Sequence, residues 1–280
     1  MVAAAPTPET KLDSLRVWLK AQGSVLVCYS GGVDSAFLLA VATQELESHA
    51  VGLTALSPSL AASEREDALS FAARIGAVHH LVETHEMDRP EYAKNSADRC
   101  FHCKTELYEV AERKRREWGL NVVLNGTNTD DLGDYRPGLE AASRAKVRSP
   151  LVELGFNKGD VRAAARHLGL DLWDKPAAAC LSSRIPYGTS VTPERLSQVE
   201  QLEADLKALG FRQLRVRWHD KIARIELGVD ELPRALEPEL RDSIVQAGKR
   251  CGFSYITLDL AGYRQGSHNE VLPGRSLPVV

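Results

Sequence analysis

The residues Ser30-Gly31-Gly32-Val33-Asp34-Ser35 stand between a short apolar run and an amphipathic segment. Adjacent glycines let the backbone approach a ligand closely and adopt left-handed dihedrals. A helix opening just after them turns its free N–H groups and its positive dipole end toward the same point. Ser30 and Ser35 add hydroxyls. These features make a cradle for phosphate. The string is not G-x-x-x-x-G-K-[ST] and lacks that motif's lysine, so it is not the loop of kinases or GTPases. A second glycine, in Gly126-Thr127-Asn128, follows another apolar run, where ligands sit in an open α/β sheet. Asp130, Asp131 and Asp134 come next. Asp131 is the candidate Mg²⁺ ligand among them, against the plainer reading of a solvated acidic loop.

Five cysteines stand at 28, 100, 103, 180 and 251. Cys28 lies inside an apolar run and reads as core, and Cys251 reads as structural. Cys100-Phe101-His102-Cys103 is different, because C-x-x-C brings two thiols together for metal, cluster or redox chemistry. It opens a helix, whose dipole lowers a thiol pKa, and Arg99 and Lys104 are expected to push the same way. Cys180 sits in Trp173–Ile185, rich in Pro, Ala and Ser, which reads as a loop that can approach a ligand. There Lys175 and Arg184 are expected to stabilise a thiolate. Further on, Arg215 and Arg217 are two apart on an expected strand and share a face, as do Arg224 and Glu226. Paired guanidiniums grip a phosphate, while a solvated face of cross-strand ion pairs is the alternative.

The elements that must carry these groups follow from periodicity. Helices are expected over 8–22, 35–46, 63–75 (with a Ser63-x-x-Glu66 capping box), 104–118 and 158–168. Strands are expected over 24–29, 50–56, 78–83 and 121–125. Strands alternating with helices imply an α/β fold with a doubly wound parallel sheet. Beyond about residue 186 the texture changes. A helix over 193–209, a hairpin of 213–218 with 222–227, a helix over 238–251 and a strand over 254–258 read as a smaller α+β domain. The expected division is therefore 1–186, 187–262, and a loose tail over 263–280.

Composition bounds the function. The chain has 280 residues, 44% hydrophobic and 26% charged, with net charge −3. That is globular in character and excludes a disordered, collagen-like or coiled-coil chain. The charge argues against a general nucleic-acid binder. No run reaches the roughly 18 apolar residues of a membrane span. The Ala/Pro-rich start lacks the features of a signal peptide. An odd cysteine count in a chain this long argues against a disulfide framework, which makes the cytosol the default.

Taken together, the motifs point to a known family. S-G-G-x-D-S resembles the pyrophosphate loop of the PP-loop ATP pyrophosphatases, which cleave ATP between the α- and β-phosphates and transfer AMP to a substrate oxygen. Pro150-Leu151 and Lys158–Arg162 resemble the stretch before the substrate site in NAD and GMP synthetases. With R-C-x-x-C-K at Arg99–Lys104, G-T-N-x-D-D-x-x-D-Y-R-P-G at Gly126–Gly138 and W-D-K-P-x-x-x-C-L-S-S-R at Trp173–Arg184, the chain resembles the LarE family over about residues 10 to 260.

The resemblance implies an ATP-dependent sulfur transferase of nickel-pincer cofactor synthesis. It implies ATP at Ser30, Gly31, Gly32, Asp34, Ser35, Gly126 and Thr127, with Mg²⁺. A pyridinium-3,5-biscarboxylic acid mononucleotide is implied at Arg184, Arg215, Arg217 and Glu226, with Glu200 or Glu203 nearby. The sulfur comes from Cys180 itself, or from a [4Fe–4S] cluster on Cys100, Cys103 and Cys180. The C-x-x-C tips the reading toward the cluster, with zinc as the plainer occupant. The resemblance also implies a homo-oligomer, although no interface is legible. Rival readings are a tRNA thiolation enzyme, a PP-loop amidating synthetase and a non-catalytic nucleotide binder.

Overall fold

The computed structural model describes residues 6–133, 137–176, 179–264, 266–269 and 271. Asp134 of the acidic loop, and Ala177 and Ala178 before Cys180, lie outside the described residues. The chain divides into two compact units, Met1–Glu86 with Cys100–Ala178, and Met87–Arg99 with Ala179–Val280. The division differs from the one expected at residue 186. It falls earlier, and an internal segment crosses to the second unit. The reason is that the segment after the third strand and the Cys180 loop bond to each other rather than to the sheet.

In the first unit α1 (Pro8–Gln22), β1 (Val25–Cys28), α2 (Val33–Leu46), β2 (Ala50–Leu56), α3 (Ala62–Arg74) and β3 (Val78–Glu83) alternate. The chain returns after α4 (Pro90–Ala93) as α5 (Arg99–Glu117), β4 (Val122–Leu124), α6 (Pro137–Arg144), α7 (Pro150–Glu153) and α8 (Lys158–His167). The sheet runs β3-β2-β1-β4 and every pairing is parallel. All of β1 is buried, as expected of a strand covered on both faces. Val25 and Val27 join the core with α1, α2, α3 and α8, while Leu26 and Cys28 face α5 and α6. Burial pushes the Cys28 thiol up to about 12, so it stays protonated as an inert core group.

Two local expectations change. α2 starts two residues earlier than expected, because Gly32 is already its N-cap. The capping box expected at Ser63 is absent: Ala61 is the N-cap of α3, and Ser63 lies inside the helix. A capping box is present instead on α8, where Asn157 and Asp160 bond each other's backbone N–H.

In the second unit, α9 (Pro193–Ala208), β5 (Leu214–His219), β6 (Ile222–Leu227), α10 (Leu232–Ala235), α11 (Pro238–Arg250) and β7 (Tyr255–Leu258) make the α+β arrangement. β5 and β6 form an antiparallel hairpin, and β7 adds parallel to β6. α9 packs on β5 with Leu196, Val199, Leu202 and Leu206 buried. The tail expected to be loose from 263 is tied down where it is described. Tyr263 N donates to Leu227 O at 2.7 Å, and Ser267 is buried.

Candidate active site

The phosphate loop springs from a pinned point. Tyr29 N donates to Leu53 O at 2.8 Å, and Thr54 Oγ1 donates to Tyr29 O at 2.6 Å. Gly31 then turns the chain with φ +78°, in the left-handed region that other residues rarely adopt. A Cβ on Gly32 would meet only Ser30 Oγ, at 3.5 Å, so the space in front of it is open to a ligand. Ser35 is buried and works as a staple: its Oγ donates to Gly32 O at 3.1 Å and accepts from Ser30 N at 3.2 Å. That uses the only proton of Ser35, so Ser30 is the donor in the 3.1 Å contact between the two hydroxyls. Ser30 is exposed at the mouth of the loop.

Gly126 follows β4 and crosses the first turn of α2. A Cβ there would lie 2.7 Å from Ser35 N and 2.8 Å from Ser35 Cα, so no side chain fits. Thr127 N is taken by Asn125 Oδ1 at 3.1 Å. Asp34 stands in the first turn of α2 with its carboxyl pKa raised, chiefly by burial and next by the charge of Asp131. Asp131 Oδ2 accepts from Asn128 N at 3.2 Å, and Lys158 Nζ lies 3.5 Å from Oδ1. Asp34 and Asp131, two carboxylates beside the phosphate loop, are of the type that would hold a divalent cation. Asp130 is spent elsewhere, its Oδ2 accepting from Lys158 N at 3.0 Å.

Lys175, expected near the Cys180 thiol, makes its bonds inside the first unit. Its Nζ bonds Glu64 Oε2 at 2.8 Å and Asp67 Oδ2 at 3.0 Å, and lies 3.4 Å from Gly31 O. Burial pulls its pKa down, but the two acids on α3 outweigh that and raise it. Lys175 thus ties α3 to the phosphate loop from 144 residues downstream in the chain.

Cys100 and Cys103 lie three apart in the first turn of α5 and share a face, with Cys100 exposed. Arg99 is not available to tune them. It is buried, its guanidinium bonding Asn95 Oδ1 and, at 2.9 Å, Ser182 O. Cys100 and Cys103 belong to the first unit and Cys180 to the second. Among the described residues no three His, Cys, Asp or Glu side chains converge as metal ligands.

In the second unit Cys180 is exposed at the start of the short turn Leu181–Arg184. Its backbone is held from several sides. Arg184 Nη1 donates to Ala179 O at 2.6 Å and Cys180 O at 3.0 Å, and Arg217 Nη1 donates to Ser183 O at 2.9 Å. Arg184 is therefore a brace under the loop. It is bidentate with Glu203, whose Oε1 also accepts from Val216 N at 3.0 Å. Arg217 is bidentate with Glu226, at 3.0 and 2.8 Å. Glu226 is 1% exposed and also receives Arg224 Nη2 at 3.1 Å and Ser267 Oγ at 3.3 Å. Arg215 stacks on Tyr263 at 5.3 Å, and burial and Arg184 lower its pKa. The imidazole of His268 stacks on Tyr187 and is held neutral, its pKa lowered to about 3 by burial and then by Arg99, Arg217, Arg184 and Arg224.

Among the described residues, the guanidiniums of Arg184 and Arg217 reach the backbone around Cys180, each paired with one buried carboxylate, Glu203 or Glu226, and the charge of Arg215 adds to that of Arg184. Such a region favours an anionic ligand. Sequence reasoning missed Tyr92, Asn95 and His268, because isolated polar residues in irregular segments carry no periodic signal.

A parallel sheet ordered 3-2-1-4, with a glycine loop leading from the central β1 into α2, is the arrangement of an open α/β nucleotide-binding protein and is consistent with a PP-loop ATP-binding fold. Comparison agrees: the asparagine synthase family model matches residues 12–185. The chain is 37% identical over 267 residues to a pyridinium-3,5-bisthiocarboxylic acid mononucleotide synthase of Lactiplantibacillus plantarum, covering 95% of this chain and 96% of that protein. It is 45% identical to the uncharacterized protein slr1717 of Synechocystis, over 94% and 98% of the two chains. It is 26% identical to the uncharacterized protein MJ0830 of Methanocaldococcus jannaschii, over 86% and 90%. The chain belongs to the LarE family of the PP-loop superfamily and is an ATP-using sulfurtransferase. Among the described residues no helix is long and apolar enough to cross a membrane.

Proposed function

We propose that the protein adenylates the carboxylates of pyridinium-3,5-biscarboxylic acid mononucleotide and converts them to thiocarboxylates for a nickel-pincer cofactor. The observation that carries this is an exposed Cys180 thiol on a backbone braced by buried guanidiniums. The phosphate loop supports the activation step. A substrate carboxylate oxygen attacks the α-phosphorus of ATP, and pyrophosphate leaves into the N–H groups that follow Gly32. Asp34 and Asp131 would hold Mg²⁺, which when bound would neutralise phosphate charge. Arg215, Arg217 and Glu226, with Arg184, form the region for the anionic substrate.

Sulfur transfer then runs through Cys180. Its thiolate attacks the acyl carbon of the adenylate, AMP leaves, and a thioester forms. Loss of the Cys180 α-proton expels the sulfur from Cβ. Dehydroalanine remains in the chain and the thiocarboxylate departs, so the protein loses the elements of H₂S. A second reading is favoured by the shared face of Cys100 and Cys103: these thiols and Cys180 are of the type that would hold a [4Fe–4S] cluster, and such a cluster would supply the sulfide in place of Cys180.

The test is anaerobic protein, assayed for iron and acid-labile sulfide and weighed intact before and after turnover with ATP and the substrate. Loss of H₂S at Cys180 without iron supports the sacrificial route. Near-stoichiometric cluster with unchanged mass supports the second. Cys180→Ala is expected to keep substrate-dependent pyrophosphate release and lose thiocarboxylate formation. If Cys180→Ala forms thiocarboxylate at the wild-type rate, sulfur transfer through this residue is wrong; if the wild type forms an amide with ammonia and no thiocarboxylate, an amidating reaction takes its place.

A further inference from the structure

The segment Met87–Arg99 leaves the sheet after β3, contributes no strand and belongs to the second unit. Its side chains are spent on the stretch that follows Cys180. Tyr92 Oη and Ser182 Oγ lie 2.6 Å apart. Asn95 is fully buried with φ +56°, a left-handed conformation that asparagine tolerates better than most residues. Its Nδ2 donates to Ile185 O at 3.1 Å, Pro186 O at 2.8 Å and Thr189 O at 3.0 Å. Its Oδ1 accepts from Arg99, whose Nη1 also donates to Ser182 O at 2.9 Å. Backbone bonds from Gly188 N to Asn95 O and from Val191 N to Ala93 O, each 3.0 Å, complete the seam.

A loop without regular structure has little else to fix it, and its buried carbonyls need donors. Arg184 holds the carbonyls of Ala179 and Cys180, Arg99 that of Ser182, Arg217 that of Ser183, and Asn95 those of Ile185, Pro186 and Thr189. Resting on the sulfur-transfer reading, we propose that Arg99 and Asn95 are positioning residues for Cys180. They act through the backbone, holding Sγ where it meets an acyl carbon in attack geometry. A displacement of about 1 Å at a reacting atom is enough to cost about 100-fold in rate.

The test uses the full chain with Arg99→Met, Arg99→Lys and the milder Tyr92→Phe. Four readouts are taken: substrate-dependent ATP–pyrophosphate exchange, single-turnover sulfur transfer, hydrogen exchange of peptides covering 179–189, and site-resolved alkylation of Cys180. For Arg99→Met we expect adenylation within about twofold of wild type and transfer down about 100-fold. The loop amides should exchange faster, and Arg99→Lys should recover a large part of the transfer rate. Tyr92→Phe should shift loop exchange and transfer in the same direction by less, and it carries the test should Arg99→Met not fold.

Unchanged transfer with unchanged loop exchange overturns the proposal. So does a parallel fall of adenylation and transfer, which marks a structural role. A wild-type protein that adenylates but transfers no sulfur sinks the functional reading instead. Loop exchange and Cys180 alkylation then still decide whether Arg99 fixes the loop.

Discussion

The loop residues divide the work by conformation and by hydrogen bonding. Gly31 is needed for its backbone angle and Gly126 for the room its missing side chain leaves, while Ser35 ties the turn shut. Gly126→Ala would drive a Cβ into the backbone of Ser35, which has no flexible end to move aside. The expected outcome is a stability loss of about 1–3 kcal/mol together with weakened ATP binding, read by thermal unfolding and calorimetric titration. Lys175→Met removes the cation beside Gly31 O and strands Glu64 and Asp67 next to the loop. Calorimetry should give ATP affinity about tenfold lower, a difference of about 1.4 kcal/mol. An unchanged affinity would reduce Lys175 to a structural tie.

At the scale of elements, the strongly periodic pieces were legible and the caps were not. α1, β2 and β6 lie where apolar spacing puts them, because burial on a sheet or a helix stripe enforces that spacing. The box expected at Ser63 shows the limit: Ser-x-x-Glu has the right letters, but Ala61 already has the extended φ and ψ of an N-cap. On α8 the cap is real, and that helix buries Val161, Ala164 and Ala165 against the core behind the phosphate loop. Asn157→Ala is expected to cost about 1 kcal/mol, the usual value of an N-cap, seen as a lower denaturant midpoint with an unchanged slope. Asn157→Asp, which keeps the acceptor, should restore most of it.

For the whole molecule, pH is the sensitive variable. His268 has its folded pKa near 3, against 6.5 when free, because it is buried among arginines. Between those values the unfolded chain takes up a proton that the native state refuses, so stability falls as pH drops from 6.5 toward 3. The ceiling on this effect is about 1.4 kcal/mol per pH unit, reduced by the solvent that reaches the ring. Comparing denaturation at neutral and mildly acid pH, wild type should lose more stability than His268→Gln. Equal losses would mean that the ring is protonated in the native state. The modest net charge of −3 conceals this arrangement, since it averages the guanidinium-rich surroundings of Cys180 with acidic surface elsewhere.

The α/β alternation and the glycine loop between a strand and a helix were legible from sequence alone, and Cys180 stood out by its setting among small residues. Each is a local property: strand and helix periodicities, a glycine pair before a helix, and a cysteine among small residues all lie within a dozen positions. What only the tertiary structure decided was the partnership of the charged groups. Lys175 pairs with Glu64 and reaches Gly31, Arg99 reaches Ser182, and Arg217 pairs with Glu226. Long charged side chains carry no direction in sequence. Their partners are chosen by which carboxylates and carbonyls are left buried without donors once the chain has folded.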